Sequence, residues 1–190
     1  LIPNPEGVEA AFAEAAHHIT ETYVHQRLIP APMEPRGVAA VPSPHNGDMT
    51  LYSSTQIPHI LKVMAALTAG IPEHKMRVIA PAVGGGFGCK LGVYAEEIIC
   101  LALALRHGVP VRWTEGRTEA ATATIQGRAQ RQTIELAADE NGKLLAVRAT
   151  LLADMGAYLQ LITPGVPLLG AFLFHGLYDV PLYSFTCKSV

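Results

Sequence analysis

Four glycines in five positions, Gly84-Gly85-Gly86-Phe87-Gly88, constrain this chain more than any other stretch. Glycine inside a helix or strand costs roughly 0.5–1 kcal/mol relative to alanine, so such a cluster must answer a need other than regular structure. The usual need is close approach of bare backbone to a ligand. Phe87 stands where a flexible linker carries Ser or Asn, which argues for an ordered, shaped loop. Residues 76–80 upstream read as a strand and residues 93–107 downstream as a helix. The loop therefore joins a strand to a helix, a place where α/β folds hold anionic cofactors. A tight structural turn is the competing reading of the same glycines.

At 190 residues the chain suits a single domain, 1–190, or two packed halves, with enough length for a sizeable core. Its 49% hydrophobic and 16% charged residues leave it more apolar than the roughly 25% charged soluble average, as expected of a piece that leans on other protein. The longest apolar run, 98–105, is far short of a membrane span. A net charge of −2 with scattered Lys and Arg excludes an electrostatic footprint for nucleic acid or anionic lipid. Three cysteines, Cys89, Cys100 and Cys187, have neither CxxC spacing nor an even count, against a disulfide framework or zinc site. The opening Leu1-Ile-Pro-Asn-Pro-Glu6 has no basic region, apolar signal core or Met, and reads as the start of a cytoplasmic fragment.

Periodicity predicts the elements in order. A short helix is expected over 8–16 after the breaker Pro3-Asn-Pro5, and a strand over 18–28. Prolines 30, 32 and 35 force an extended loop, in which Glu34 and Arg36 suggest a structural ion pair. Strands over 37–41 and 48–53 flank the turn signal Asn46-Gly47. Ser54 or Thr55 can cap a helix over 56–69, opened by Gln56 and closed by Gly70 and Pro72. After the 76–80 strand, glycine loop and 93–107 helix come a strand over 111–114 and a polar connection with room for one or two helical turns. Alternation over 130–138 and 144–153 around Asp139-Glu-Asn-Gly142 predicts an antiparallel hairpin. Beyond Gly156 apolar residues lose any clear period until a last strand over 182–190. The sum is an α+β fold, a mixed β-sheet with packed helices.

The glycine loop fails the common phosphate signatures. Lys90 follows Cys89 and precedes Leu91, which breaks the P-loop pattern, and the third glycine of a dinucleotide fingerprint would fall at Cys89. What remains is a row of N–H groups able to form an anion-binding nest. Gln56, read alone, is either a bidentate ligand-binding amide or a solvated helix-start residue. The eight histidines show no ligand spacing and read as surface or satisfied side chains, and Glu96-Glu97 as one solvated and one half-buried carboxylate.

Several separate motifs, in register, resemble one family. Leu51-Tyr-Ser-Ser-Thr-Gln-Ile-Pro-His59, the run from Gly70 to Lys90 with its Gly-Gly-Gly-Phe-Gly, Pro32-Met-Glu-Pro-Arg36, Pro110-Val-Arg-Trp113 and Leu152-Ala-Asp-Met-Gly-Ala-Tyr158 are similar to the molybdopterin-binding large subunit of the xanthine dehydrogenase and aldehyde oxidase family. The resemblance covers nearly the whole chain. It implies the first part of a molybdenum-cofactor-binding domain, with Gln56 approaching an oxygen ligand on molybdenum. Phe87 and Gly88 would flank the metal, Gly85 and Gly86 would complete the loop, and no side chain here would ligate the metal. Neutral amide donors at fixed positions suit an anionic metal centre.

Leu91 stands where xanthine-specific members carry a substrate-binding glutamate, and Cys89 where many carry Gly or Asn. The first departure argues against xanthine as substrate; Cys89 reads as filler beside the loop. The family's Tyr-Arg loop and catalytic glutamate have no counterpart here, so no catalytic residue is expected in this piece. By resemblance the parent is a molybdenum hydroxylase acting on an aldehyde, heterocycle or carbon monoxide, with a lean toward the carbon-monoxide-dehydrogenase-like branch. Its molybdenum-molybdopterin would be held with the remainder of the large subunit, and electrons would leave to iron–sulfur and FAD subunits or domains. This piece alone would hold little cofactor and be inactive. A non-enzymatic scaffold with a structural glycine loop is the alternative.

Overall fold

A computed structural model describes residues 4–190. Leu1–Pro3, including the first proline of the expected breaker, lie outside the described residues. In chain order the elements are α1 (Pro5–Glu14), β1 (His17–Leu28), β2 (Gly37–Pro42), β3 (Met49–Ser53), α2 (Pro58–Ala69), β4 (Met76–Ile79), α3 (Ala95–His107), β5 (Val111–Thr114), α4 (Arg117–Ala123), β6 (Gly127–Ala138), β7 (Leu144–Ala153), α5 (Gly165–Gly170) and β8 (Leu182–Ser189). A single 3-10 turn, Glu73–Lys75, leads into β4.

The chain forms two units, one from residues 28–127 and one from residues 4–27 with 128–190. In the first, a four-stranded sheet runs β4-β3-β2-β5. β2 pairs antiparallel with β3 and β5, and β3 pairs parallel with β4, with Leu51 opposite Val78. The parallel pair requires a crossover, which α2 supplies. The α2 residues Leu61, Ala65 and Ala66 and the α3 residues Cys100, Leu101 and Ala104 share one core with Val38, Ala40, Met49, Leu51 and Met76. This layer places the glycine loop just after the parallel strand β4, where ligand sites of such sheets fall.

In the second unit the sheet runs β1-β6-β7-β8, antiparallel at β6–β7 and parallel at β7–β8. Asp139 turns the β6–β7 hairpin by accepting the N–H groups of Asn141 and Lys143, each at 2.9 Å. α1 packs Val8 against Ala137 and Ala146, and begins where the Asn4 side chain accepts the N–H of Gly7 at 2.9 Å. Arg148 lies over the Phe12 ring and pairs with Glu135 and Glu9.

The fold is α+β as expected, and both sheets are mixed. Two local expectations are corrected. Gln56 does not open α2, which starts at Pro58 with Ile57 at its N-cap (φ −132°, ψ 54°), because a residue before proline is driven out of the helical region. Thr55 still serves that end, accepting the Ile57 N–H at 3.1 Å. The aperiodic stretch beyond Gly156 contains α5, a helix too short to declare a period. No helix among the described residues is long and apolar enough to cross a membrane.

Candidate functional site: a clasped glycine loop

In the connection between β4 and α3 the glycine loop turns the chain with positive φ at Gly85 (93°), Phe87 (50°) and Gly88 (86°). The loop is closed on itself by the Cys89 N–H donating to the Gly86 carbonyl at 2.9 Å and the Leu91 N–H to that of Gly88 at 3.3 Å. Two side chains from elsewhere clasp it.

The first is Gln56. Its Oε1 accepts the N–H groups of Gly88 at 3.1 Å and Lys90 at 3.2 Å, while its own N–H donates to the Lys90 carbonyl at 2.9 Å. With Oε1 fixed by two backbone donors, Nε2 is left as a donor on the other side of the carboxamide. Gly86 makes room for this arrangement: a Cβ there would stand 2.5 Å from the Gln56 carboxamide carbon.

The second is Glu34. Its Oε2 accepts the Gly84 N–H at 2.6 Å and the Lys90 ammonium at 3.0 Å, and its own N–H donates to the Gly84 carbonyl at 3.3 Å. Lys90 is only 1% exposed, whereas Phe87 is 75% exposed. Burial works to raise the Glu34 carboxyl, but Gly84 and Lys90 outweigh it and hold it below its ordinary range. Gln56 and Glu34 thus take the N–H groups of Gly84, Gly88 and Lys90. Those of Gly85, Gly86 and Phe87 donate to no acceptor among the described residues.

Behind the loop, Arg36 threads a buried polar cluster. It donates through Nε and Nη2 to Glu115 Oε1 at 2.9 and 2.6 Å and through Nη1 to Glu96 at 3.2 Å, with its guanidinium 3.7 Å from the centre of the Tyr94 ring. Burial opposes the Arg36 charge, yet Glu115 and Glu96 hold it above the ordinary value. Tyr94 ties the cluster to the loop by donating its hydroxyl to the Cys89 carbonyl at 2.5 Å, and burial pushes its phenol up to about 12. Glu97 accepts from the Ser53 hydroxyl at 2.5 Å and the Tyr94 N–H at 2.9 Å, and burial raises its carboxyl despite both. The Cys89 thiol is also raised by burial, as suits a packed filler.

Sequence reasoning named Gln56, Gly85, Gly86, Phe87 and Gly88, and the structure brings all five together. It missed Lys90 and Glu34 as partners of the loop. The proposed Glu34–Arg36 ion pair does not form: Glu34 turns to Lys90, and Arg36 turns to Glu115 and Glu96. Successive residues of an extended segment project to opposite faces, so 34 and 36 could share a side, but each finds a better-placed partner more than fifty residues away. A lysine closing a glycine loop was the one available signal. Among the described residues no group of three or more His, Cys, Asp or Glu could hold a metal ion.

Comparison with known proteins identifies the family of the chain. Residues 4–190 match the family model described as molybdopterin cofactor-binding domain. The chain is 37% identical over 182 residues to the carbon monoxide dehydrogenase large chain of Afipia carboxidovorans, covering 95% of this chain and 22% of that protein. It superposes with a TM-score of 0.88 and 34% identity on carbon monoxide dehydrogenase from Oligotropha carboxidovorans, covering all of this chain and 24% of that one. Quinoline 2-oxidoreductase from Pseudomonas putida gives a TM-score of 0.87 and 33% identity over 96% of this chain and 24% of that one. The chain thus spans about a quarter of the length of these relatives. On the family match over nearly its whole length, this chain belongs to the molybdopterin cofactor-binding domain family.

Proposed function

We propose that this chain supplies the glycine-loop half of the molybdenum-molybdopterin site in the large subunit of a molybdenum hydroxylase, an oxidoreductase acting on an aldehyde, a heterocycle or carbon monoxide. The observation that carries the reading is the Gln56 carboxamide, held by Oε1 on the Gly88 and Lys90 N–H groups above a Gly86 that has no room for a side chain. Such a cradle fits an anionic group. It offers a fixed amide donor at Gln56 Nε2 and the N–H groups of Gly85, Gly86 and Phe87 at little reorganisation cost. Gly88 serves by orienting Gln56, and the exposed Phe87 ring provides an apolar wall beside these donors. When bound, the molybdenum cofactor supplies the redox chemistry, and the protein supplies position and electrostatics.

No residue of this chain is assigned as proton acceptor. In this reading that group comes from the remainder of the large subunit, and iron–sulfur and FAD subunits or domains carry electrons away. Leu91 leaves the position beside the loop without a carboxylate, which disfavours xanthine and leaves carbon monoxide, an aldehyde or an uncharged heterocycle. The names of the relatives, carbon monoxide dehydrogenase and quinoline 2-oxidoreductase, support that range.

The test is metal and pterin analysis of the full-length parent purified with its partner subunits. Molybdenum and pterin in matching amounts are expected, and a Gln56→Ala parent should retain less of both. A purified parent lacking both would overturn the proposal and favour a scaffold with a structural loop. The present chain expressed alone should retain little pterin, because one loop provides only part of the cradle.

A further inference from the structure

Lys90 is the largest side chain buried completely in the described structure. Its ammonium has one acceptor among the described residues, Glu34 Oε2, whose side chain is 40% exposed. Burying an ammonium against a single, partly solvated carboxylate is a poor means of gaining stability, since desolvation takes back most of the Coulomb attraction. An apolar residue at 90 would fill the same space with no charge to desolvate. What the pair does is geometric.

Three observations define that geometry. The oxygen that takes the Lys90 ammonium also takes the Gly84 N–H, so one atom of Glu34 joins the two ends of the glycine loop. The Lys90 backbone meanwhile holds Gln56 from both sides, its N–H on Gln56 Oε1 and its carbonyl on the Gln56 N–H. The proline loop that carries Glu34 is anchored in turn by Arg117, which donates to the carbonyls of Pro32 at 2.7 Å and Met33 at 2.8 Å. Lys90 is therefore the common reference for both parts of the cradle.

We propose that Glu34 and Lys90 are positioning residues for the cofactor site. Their ion pair fixes the span from Gly84 to Lys90, and with it the placement of the Gln56 carboxamide relative to the N–H groups of Gly85, Gly86 and Phe87. The inference rests on the cofactor reading above. Partners that orient the groups around a metal typically change affinity or activity by about 10–100-fold when altered.

The test uses the full-length parent with its partner subunits and the double variant Glu34→Gln/Lys90→Met. This variant keeps an acceptor for the Gly84 N–H and fills the lysine's volume without leaving an unpaired buried charge. The expected result is a melting temperature close to the wild type together with cofactor release, followed by pterin fluorescence, about tenfold faster. The electron paramagnetic resonance signal of the reduced metal centre should also change. The single variant Lys90→Met should show a similar spectral change, because it removes the donor that joins the two ends of the loop. Wild-type release and spectrum in the double variant would overturn the proposal. So would cofactor loss that merely tracks a fall in melting temperature, which would make the pair structural only. A wild-type parent without molybdenum and pterin would overturn the cofactor reading, whereas a loaded wild type with an indifferent double variant would overturn the pair alone.

Discussion

At the residue scale, the three adjacent glycines are not equivalent. A Cβ at Gly84 would strike Glu34, at Gly85 the Phe87 ring, and at Gly86 the Gln56 carboxamide. Gly86→Ala is therefore expected to displace Gln56 selectively, costing about 1–3 kcal/mol of local strain and most of the bound molybdenum in the parent. Metal content beside a melting curve checks this, and unchanged loading would refute it. Glu97 gives a second expectation. Its carboxyl is raised mainly by burial, against hydrogen bonds from Ser53 and Tyr94 and the nearby Arg36 charge, with Glu96 adding to the rise. Ionising it costs more in the folded protein than in the unfolded chain. Its contribution is thus most favourable below the ordinary 4.5 and declines as pH climbs through the raised folded value. Ser53→Ala should push the Glu97 midpoint further up, read by isotope-edited infrared titration. Glu34 runs the other way: its depressed folded value makes the clasp's contribution present above the ordinary 4.5 and lost as pH falls through the lower value.

At the element scale, the strands and helices were largely legible because their signals are local. Alternation around Asp139-Glu-Asn-Gly142 foretold β6 and β7, and the structure pairs Leu136 with Val147 accordingly. Asp139→Ala would leave the N–H groups of Asn141 and Lys143 without their acceptor, costing about 1–2 kcal/mol. Hydrogen exchange at β6 and β7 should accelerate, and exchange indistinguishable from wild type would contradict that role for the turn. What sequence did not reveal is where elements meet. The cap signals at Ser54 and Thr55 point to a start at Gln56, but Pro58 restricts Ile57 and moves the start of α2 to Pro58. All twelve residues of β1 are exposed, so its alternation announced a strand but no buried face. Glu34 and Lys90 lie fifty-six positions apart, and no period or spacing rule links a proline loop to the end of a glycine loop. Gln56, Phe87 and Gly88 were found through motif resemblance, and their hydrogen-bonded arrangement required coordinates.

At the scale of the whole molecule, each unit has its own mixed sheet, and the candidate site belongs to the unit of residues 28–127. The loop that makes the site inverts the usual order of polarity, with the cation of Lys90 inside and the ring of Phe87 outside. Hydrophobic collapse alone favours the opposite arrangement. Gln56 and Lys90 can meet only after the crossover from β3 through α2 to β4 has brought them together, and Glu34 can reach Lys90 only once the proline loop is in place. The loop is thus expected to be a late arrival in folding, its amides gaining protection after those of β2 and β3 in pulse-labelled hydrogen exchange. Early protection at Gly88 and Lys90 would disprove the sequence of events. If the order holds, the scaffold assembles before its cradle, and the N–H groups of Gly85, Gly86 and Phe87 take up their final places only on a sheet that is already built.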